Sequence, residues 1–280
     1  MKAKDISNIV SICLNSGLSS RSILSRLRDV WRLDKRGRAG EKTGYEFWGY
    51  NFECVDPEHF AFLFTEIFIA QPYQFTSPNK EPYIIDGGVN IGLSLAYFNR
   101  LNSKSKIVGF EPHPEAYAVA KRNVENNHLD NVELVNAALS GTPGKIELSY
   151  IPGEIMGSTT GPRLQARGKE PLTTEVDSCL LSDYMDREVD FLKLDIEGAE
   201  NAVIAEAESK LRNVRNIFLE FHQTRNDDTN SLPDTIQLLE RNGFDILITS
   251  TLSNLKDAVV APLNRCGPTS SLLIFAKRID

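Results

Sequence analysis

A chain of 280 residues, 41% hydrophobic and 25% charged, can bury a substantial core as one large domain or as one domain with an appended segment. Its formal charge of −7 argues against a general nucleic-acid-binding surface, while leaving room for a local basic patch. Cys13, Cys54, Cys179 and Cys266 form no C-x-x-C pair, so they read as isolated thiols of a reducing compartment and not as a zinc or disulfide framework.

The N-terminal stretch lacks the apolar core of a signal peptide, and no run approaches the ~18 apolar residues that cross a bilayer. A soluble, cytoplasmic protein is therefore expected. In chain order, residues 1–80 read as an N-terminal helical and hairpin extension. Asp5 to Leu14 and Ser22 to Leu33 have helical periodicity, with Ile23, Leu27 and Val30/Trp31 on one face of the second helix. Basic side chains (Arg21, Arg26, Arg28, Arg32, Lys35, Arg36, Arg38) crowd residues 21–38 against only Asp29 and Asp34. That stretch is expected to be the solvated face of a packed helix; the other reading is contact with an anionic surface such as a membrane. After a Gly- and charge-rich linker, Gly37 to Gly44, the alternation of Phe47, Tyr50 and Phe52 within Tyr45 to Val55 suggests a hairpin. Asp56-Pro57-Glu58 then starts a strongly apolar helix, Phe60 to Ile69.

From residue 81 to 280 short apolar strands alternate with helical patterns. Strands Tyr83-Ile84-Ile85, Ile107 to Phe110, Val132 to Val135, Phe191 to Leu194 and Ile217 to Phe221 are separated by helices such as Ile91 to Leu101, Pro114 to about Asn126 and Ala199 to Leu211. A segment at about 141–177, with Ile146, Leu148 and Tyr150 on one arm and Thr173 to Val176 on another, interrupts the alternation as an inserted hairpin or loop. A helix from Pro233 to Asn242 stops at Gly243, and no helix separates the final strands Phe244 to Thr249 and Ser271 to Ala276, which are therefore expected to pair antiparallel. The pattern predicts an α/β fold with a doubly wound, mostly parallel sheet and an antiparallel final strand.

The chemistry is expected at the strand ends. Asp86-Gly87-Gly88-Val89-Asn90-Ile91-Gly92 follows the first of these strands, and its glycines allow a sharp bend and close approach of a ligand. Gly88 and Gly92 are four apart, so the dinucleotide fingerprint G-x-G-x-x-G is not met and a nicotinamide oxidoreductase is disfavoured. A carboxylate at Asp86 suits a ligand with a positive amino group, such as S-adenosylmethionine, whose carboxylate the following helix's free N–H groups can take. Glu111 ends the next strand, where an acidic residue at a sheet's switch point accepts both ribose hydroxyls. Glu111-Pro112-His113-Pro114 read alone would be only a helix-start turn. Ala137, in Asn136-Ala137-Ala138, stands where the nucleobase would lie.

Asp195 and Glu197 leave a buried strand at the same edge, with Gly198 permitting the turn into the next helix; as a simpler reading they cap that helix. Glu220 and His222 point to one side of the following strand. A neutral His222 would serve as a general base, or it is a hydrogen-bonded structural histidine. Asp195, Glu197, Glu220 and His222 offer donors for a divalent ion, but their spacing is not diagnostic and no metal is assigned. His59 and His128 read as structural or exposed, and His113 as packing beside the cofactor edge. Gly157-Ser158-Thr159-Thr160 is an ordinary loop or a mobile substrate contact.

Together with Phe110-Glu111-Pro112, Ala137-Ala138-Leu139-Ser140, Thr174-Glu175-Val176-Asp177 and the run Phe191 to Glu200, the glycine turn resembles the FkbM family of methyltransferases over about residues 82–222. Within that run Lys193-Leu194-Asp195-Ile196-Glu197-Gly198-Ala199-Glu200 is the most specific element, and Asn90 stands where many class I methyltransferases keep a glycine. The resemblance implies a seven-stranded, Rossmann-like class I methyltransferase fold, with S-adenosylmethionine bound by Asp86, Gly88, Asn90, Gly92 and Glu111; Gly87, Pro112 and, by its place at the third strand's end, Ala137 are further candidate contacts. It implies methyl transfer to a hydroxyl of a sugar or natural-product-like small molecule or glycan but does not settle the base, for which Asp195, Glu197 and His222 are the candidates by their place at the sheet edge. The rival from another class is a non-catalytic module that keeps the cofactor fold as a scaffold.

Overall fold

The computed structural model describes residues 44–54, 57–151, 158–159, 170–224, 230–250 and 269–279. The expected helices Asp5 to Leu14 and Ser22 to Leu33, the basic residues 21–38, Cys13 and Cys266 lie outside the described residues. Cys54 and Cys179 are free thiols.

The first described element is a hairpin, β1 (Tyr45–Phe47) and β2 (Tyr50–Phe52), paired antiparallel as the alternating aromatics suggested. Helix α1 (Pro57–Phe64) follows and widens into a π-helix over Thr65–Ala70. One cause is local: the Thr65 hydroxyl donates to the Ala61 carbonyl at 2.8 Å, competing for the acceptor that an α-helical turn would use. The hairpin and α1 do not stand apart from the sheet. Tyr45 stacks on Phe60 at 4.9 Å, Phe64 on Phe68 at 5.2 Å, and Phe68 meets Tyr97 edge-on at 5.5 Å, so aromatic packing runs into α2 (Leu93–Leu101). Buried Asn123, in α3 (Pro114–Asn126), pins the hairpin's exit by accepting from the Glu53 N–H and donating to the carbonyls of Glu53 and Ile91.

The main sheet has seven strands, numbered here in chain order: β3 (Tyr83–Gly87), β4 (Lys106–Phe110), β5 (Val132–Val135), β9 (Phe191–Leu194), β10 (Asn216–Thr224), β11 (Phe244–Ser250) and β12 (Thr269–Arg278). Their order across the sheet is β11-β12-β10-β9-β3-β4-β5, with β12 antiparallel to both neighbours and the β9, β10, β3, β4 and β5 pairings parallel. Alternate residues of each central strand enter opposite cores. Ile84, Ile107, Phe191 and Phe218 pack with the hairpin, α1, α2 and α3. Ile85, Val108, Leu192 and Leu219 pack with α4 (Glu200–Glu206), a 3-10 segment over Glu208–Asn213 and α5 (Leu232–Arg241). Burial on both faces explains why these strands read as unbroken apolar runs.

Boundaries differ from the sequence reading in three places. The helix expected from Ala199 to Leu211 breaks at Ala207 into α4 and the 3-10 turn. Strand β3 continues two residues past Ile85, to Gly87. Ala138, read with Asn136 and Ala137 as the third strand's end, instead begins β6 (Ala138–Leu139) of a second sheet, parallel to β8 (Leu172–Cys179), which pairs antiparallel with β7 (Gly144–Tyr150). Among the described residues no helix is long and apolar enough to cross a membrane.

Register fixes what meets at the sheet's C-terminal edge. Phe110, Gly87, Leu194 and Leu219 lie in one row across β4, β3, β9 and β10. The next residue on each strand is therefore Glu111, Gly88, Asp195 and Glu220. Strand order runs outward in both directions from β3, so this edge is the switch point at which doubly wound sheets bind ligands.

Candidate active site

The glycine turn is built by three left-handed residues, Gly88 (φ 81°), Asn90 (φ 51°) and Gly92 (φ 88°). Asparagine tolerates that region because its short amide bonds locally, and here Asn90 Oδ1 accepts from the Ile91 N–H at 2.9 Å. Gly88 carries a second constraint. A Cβ there would lie 1.9 Å from the Asp195 carbonyl oxygen, so the two loops touch through bare backbone. Gly88→Ala is expected to destabilise by about 3 kcal/mol or more, against roughly 1–2 kcal/mol for Gly243→Ala, which shares the positive φ but has open space around it. Equal losses in chemical denaturation would refute the close-contact account.

Glu111 leaves β4 beside this turn and is 6% exposed. Its Oε2 accepts from the Asn90 N–H at 2.8 Å and its Oε1 from the His113 N–H at 2.9 Å. Each oxygen keeps a second lone pair, the pattern needed to receive two adjacent hydroxyls. Burial pushes the carboxyl up to about 7, against the pull of the two N–H donors. His113 caps α3, its Nδ1 accepting from the Glu115 and Ala116 N–H groups, and its ring meets Tyr150 edge-on.

Asp86 occupies a different place from the one expected. It is fully buried, inside the sheet and in register with Lys193, and does not line the cavity. Lys193 Nζ lies 3.0 Å from Asp86 Oδ1 and donates to the carbonyls of Gly87 at 3.1 Å and Gly88 at 2.8 Å. Burial disfavours the lysine's charge, but Asp86 and Asp195 outweigh it and raise its pKa. Asp86 thus meets the glycine turn through Lys193. Gly87 and Gly92 also stand behind the cavity wall, whereas Gly88, Asn90, Glu111, Pro112 and Ala137 line it.

At the other end of the same cavity, of about 280 Å³, are Asp195, Glu197, Glu220 and His222. His222 is 3% exposed. Its Nδ1 lies 2.9 Å from Glu200 Oε1, and Glu200 is held in turn by the Gly198 N–H and the Asn230 amide. Its Nε2 faces Glu220 Oε1 at 3.5 Å, Glu197 Oε2 at 3.6 Å and Asp195 Oδ1 at 3.9 Å. Burial opposes a charge on the ring, but Glu197, Glu200 and Glu220 prevail and hold its pKa well above the ordinary histidine range. A neutral His222 ready to accept a proton is therefore not the state this surrounding favours. The Asp195 carboxyl is also raised, pushed up to about 7 by burial and Glu220, against Lys193 and His222. Glu197 sits at φ 57°, a left-handed strain of order 1–3 kcal/mol, and its carbonyl accepts from the Thr159 hydroxyl at 2.7 Å. Ser158 lines the cavity, while Gly157 and Thr160 lie outside the described residues.

The extension supplies a wall that sequence reasoning did not assign to the site: His59, Leu63, Glu66, Ile67 and Tyr73. One signal was present, since Glu66 is the only charge in the run Phe60 to Ala70. It sits in the π-helix, a distortion frequent at functional sites. Burial, with Glu220 and Asp195 adding to it, pushes its carboxyl up to about 8.

A seven-stranded sheet in this order, with one reversed strand and its cavity at the switch point, is the Rossmann-like fold of class I methyltransferases. Residues 86–246 match the methyltransferase FkbM domain, and the chain belongs to that family. It is 32% identical over 216 residues to "Methyltransferase sdnD" of Sordaria araneosa, covering 66% of this chain and 82% of that protein. It is 26% identical to "Methyltransferase 1" of Beauveria bassiana, covering 67% and 82%. With the "2-O-methyltransferase NoeI" of Sinorhizobium fredii it shares 28% identity over 158 residues, covering 50% and 63%.

Proposed function

We propose that this methyltransferase uses S-adenosylmethionine to methylate a hydroxyl oxygen of a small-molecule or glycan acceptor. The observation that carries the reading is Glu111 facing the same cavity as Asp195: a buried carboxylate with two spare lone pairs at one end, a carboxylate near neutrality at the other. When bound, the cofactor supplies a methyl group activated on a sulfonium. Glu111 would hold the ribose hydroxyls, Gly88 and Asn90 the backbone turn, and Ala137 and Pro112 the apolar flank for the base. Asp195 would withdraw the acceptor's proton, and His222 would orient the carboxylates around it. Transfer to oxygen follows the wording of the relative from Sinorhizobium fredii. The roles of Asp86, Gly87 and Gly92 are structural in this reading.

Calorimetry with S-adenosylmethionine and, separately, NAD tests it. Binding of the first alone is expected. A chain that binds neither is the non-catalytic scaffold, and one that binds NAD is an oxidoreductase. Affinity should also depend on pH through Glu111. Its carboxyl is ionised only above about 7, so affinity should be level at higher pH and fall by about tenfold per unit well below it. Glu111→Gln should bind roughly 10–100-fold more weakly and lose that pH dependence. An unchanged pH profile in the variant would remove Glu111 from the cofactor.

A further inference from the structure

We propose that Asp195, Glu220 and His222 form a binding site for one divalent transition-metal ion, which would hold the acceptor oxygen beside the transferable methyl; the role assigned to the ion rests on the function proposed above, the site itself does not. One ligand atom from each of the three lies within 4.8 Å of the other two. Oxygen and imidazole donors around such an ion at ~2.0–2.2 Å stand roughly 3–3.5 Å apart. His222 Nε2 is 3.5 Å from Glu220 Oε1 and 3.9 Å from Asp195 Oδ1, so small side-chain rotations close the set.

Two further observations point to a ligand and not merely to crowded acids. First, His222 is 97% buried, and its Nε2 is aimed into the space between these carboxylates with none of the three oxygens facing it closer than 3.5 Å. Its other nitrogen is fixed on Glu200, which is itself fixed by Asn230 and the Gly198 N–H. A carboxylate gripping the far nitrogen is how metal-binding imidazoles are oriented; the ion would take the place of the Nε2 proton that the surrounding carboxylates otherwise favour. Second, Glu66 faces the same cavity from the opposite wall, and among the described residues its carboxyl has no hydrogen bond or ion pair. The neighbouring cation, Lys193, is committed to Asp86 and to the carbonyls of Gly87 and Gly88, and reaches Asp195 only at 3.9 Å.

A donor set of one imidazole and two carboxylates suits Mn2+, Fe2+ or Zn2+ better than the all-oxygen shells of Ca2+ or Mg2+. Such an ion would acidify an acceptor hydroxyl bound to it. With Asp195 engaged by the ion, the hydroxyl's proton would pass to the Glu66 carboxylate in place of Asp195. Its oxygen would bond to the methyl carbon as the carbon–sulfur bond breaks, leaving that electron pair on a neutral thioether sulfur.

Mn2+ is the probe. The full chain, stripped with chelator, is titrated with Mn2+ while loss of the free-ion electron paramagnetic resonance signal and the binding heat are recorded. Saturation at one ion per chain is expected, with competition by Zn2+. Asp195→Asn and Glu220→Gln, both close in shape to the original residues, should each weaken uptake by roughly tenfold or more, and Glu147→Gln on the exposed side of β7 should not. No saturable uptake by the unaltered chain, or equal uptake by all variants, overturns the site. A parallel titration of the metal-free chain with S-adenosylmethionine separates the two readings. Cofactor binding without Mn2+ uptake sinks this inference alone, and Mn2+ uptake without cofactor binding sinks the proposed function while leaving the ion site.

Discussion

Replacing Lys193 by methionine is expected to lower stability by about 3–5 kcal/mol, seen as a lower urea midpoint with an unchanged slope. The reason is what the substitution leaves behind. Asp86 has no exposed surface, and the lysine is its partner at 3.0 Å. Methionine fills similar space but leaves a carboxylate buried without a counter-charge, and the Gly87 and Gly88 carbonyls lose the donor that ties the turn to β9. The second substitution Asp86→Leu in the Lys193→Met background should recover much of the loss, because an apolar pair of similar volume can replace a buried ion pair. A single-substitution loss below about 1 kcal/mol would mean that the pair behaves like a surface bridge and that the burial argument is wrong.

The second large effect is on turnover. Asp195→Asn should reduce kcat by about 10²–10⁴-fold, while affinity for S-adenosylmethionine stays within a few-fold. Asp195 lies at the opposite end of the cavity from Glu111, so the cofactor's ribose grip does not pass through it. The amide keeps the side chain's shape but cannot take a proton. If Asp195 acts by holding an ion, the residual rate of the variant should climb with added Mn2+; if it is the base itself, added Mn2+ should do nothing. Turnover within threefold of the unaltered chain would take Asp195 out of the chemistry altogether.

The sheet was legible because its strands are buried on both faces, which writes Tyr83-Ile84-Ile85 and Phe191-Leu192 as continuous apolar runs against the 3.6-residue rhythm of α3. Glu111 was legible because a strand end followed by Pro places its side chain at the edge. Asp86 lies behind the cavity for a reason of two residues. The strand reads as ending at Ile85 but runs on to Gly87, which keeps Asp86 within the sheet opposite Lys193. The lysine was the available clue, a charge in the middle of an otherwise apolar strand. His222 lines the cavity, as its place in the sequence suggests, but its charge depends on Glu200, and Glu200 on Asn230, thirty residues further on. No local spacing encodes such a chain of contacts. Glu66 belongs to a helix outside the family match, and only the packing of the aromatic extension on α2 brings it to the site.

That packing divides the labour of the cavity between two stretches of chain. Gly88, Glu111, Asp195 and Glu220 come from the sheet edge, while His59, Leu63, Glu66 and Tyr73 come from a stretch before the matched domain begins at residue 86. A graft exchanging that stretch between relatives would change part of the cavity lining and leave the sheet edge as it was. The aromatic seam of Phe64, Phe68 and Tyr97 is then the joint that lets one cavity be lined from both stretches.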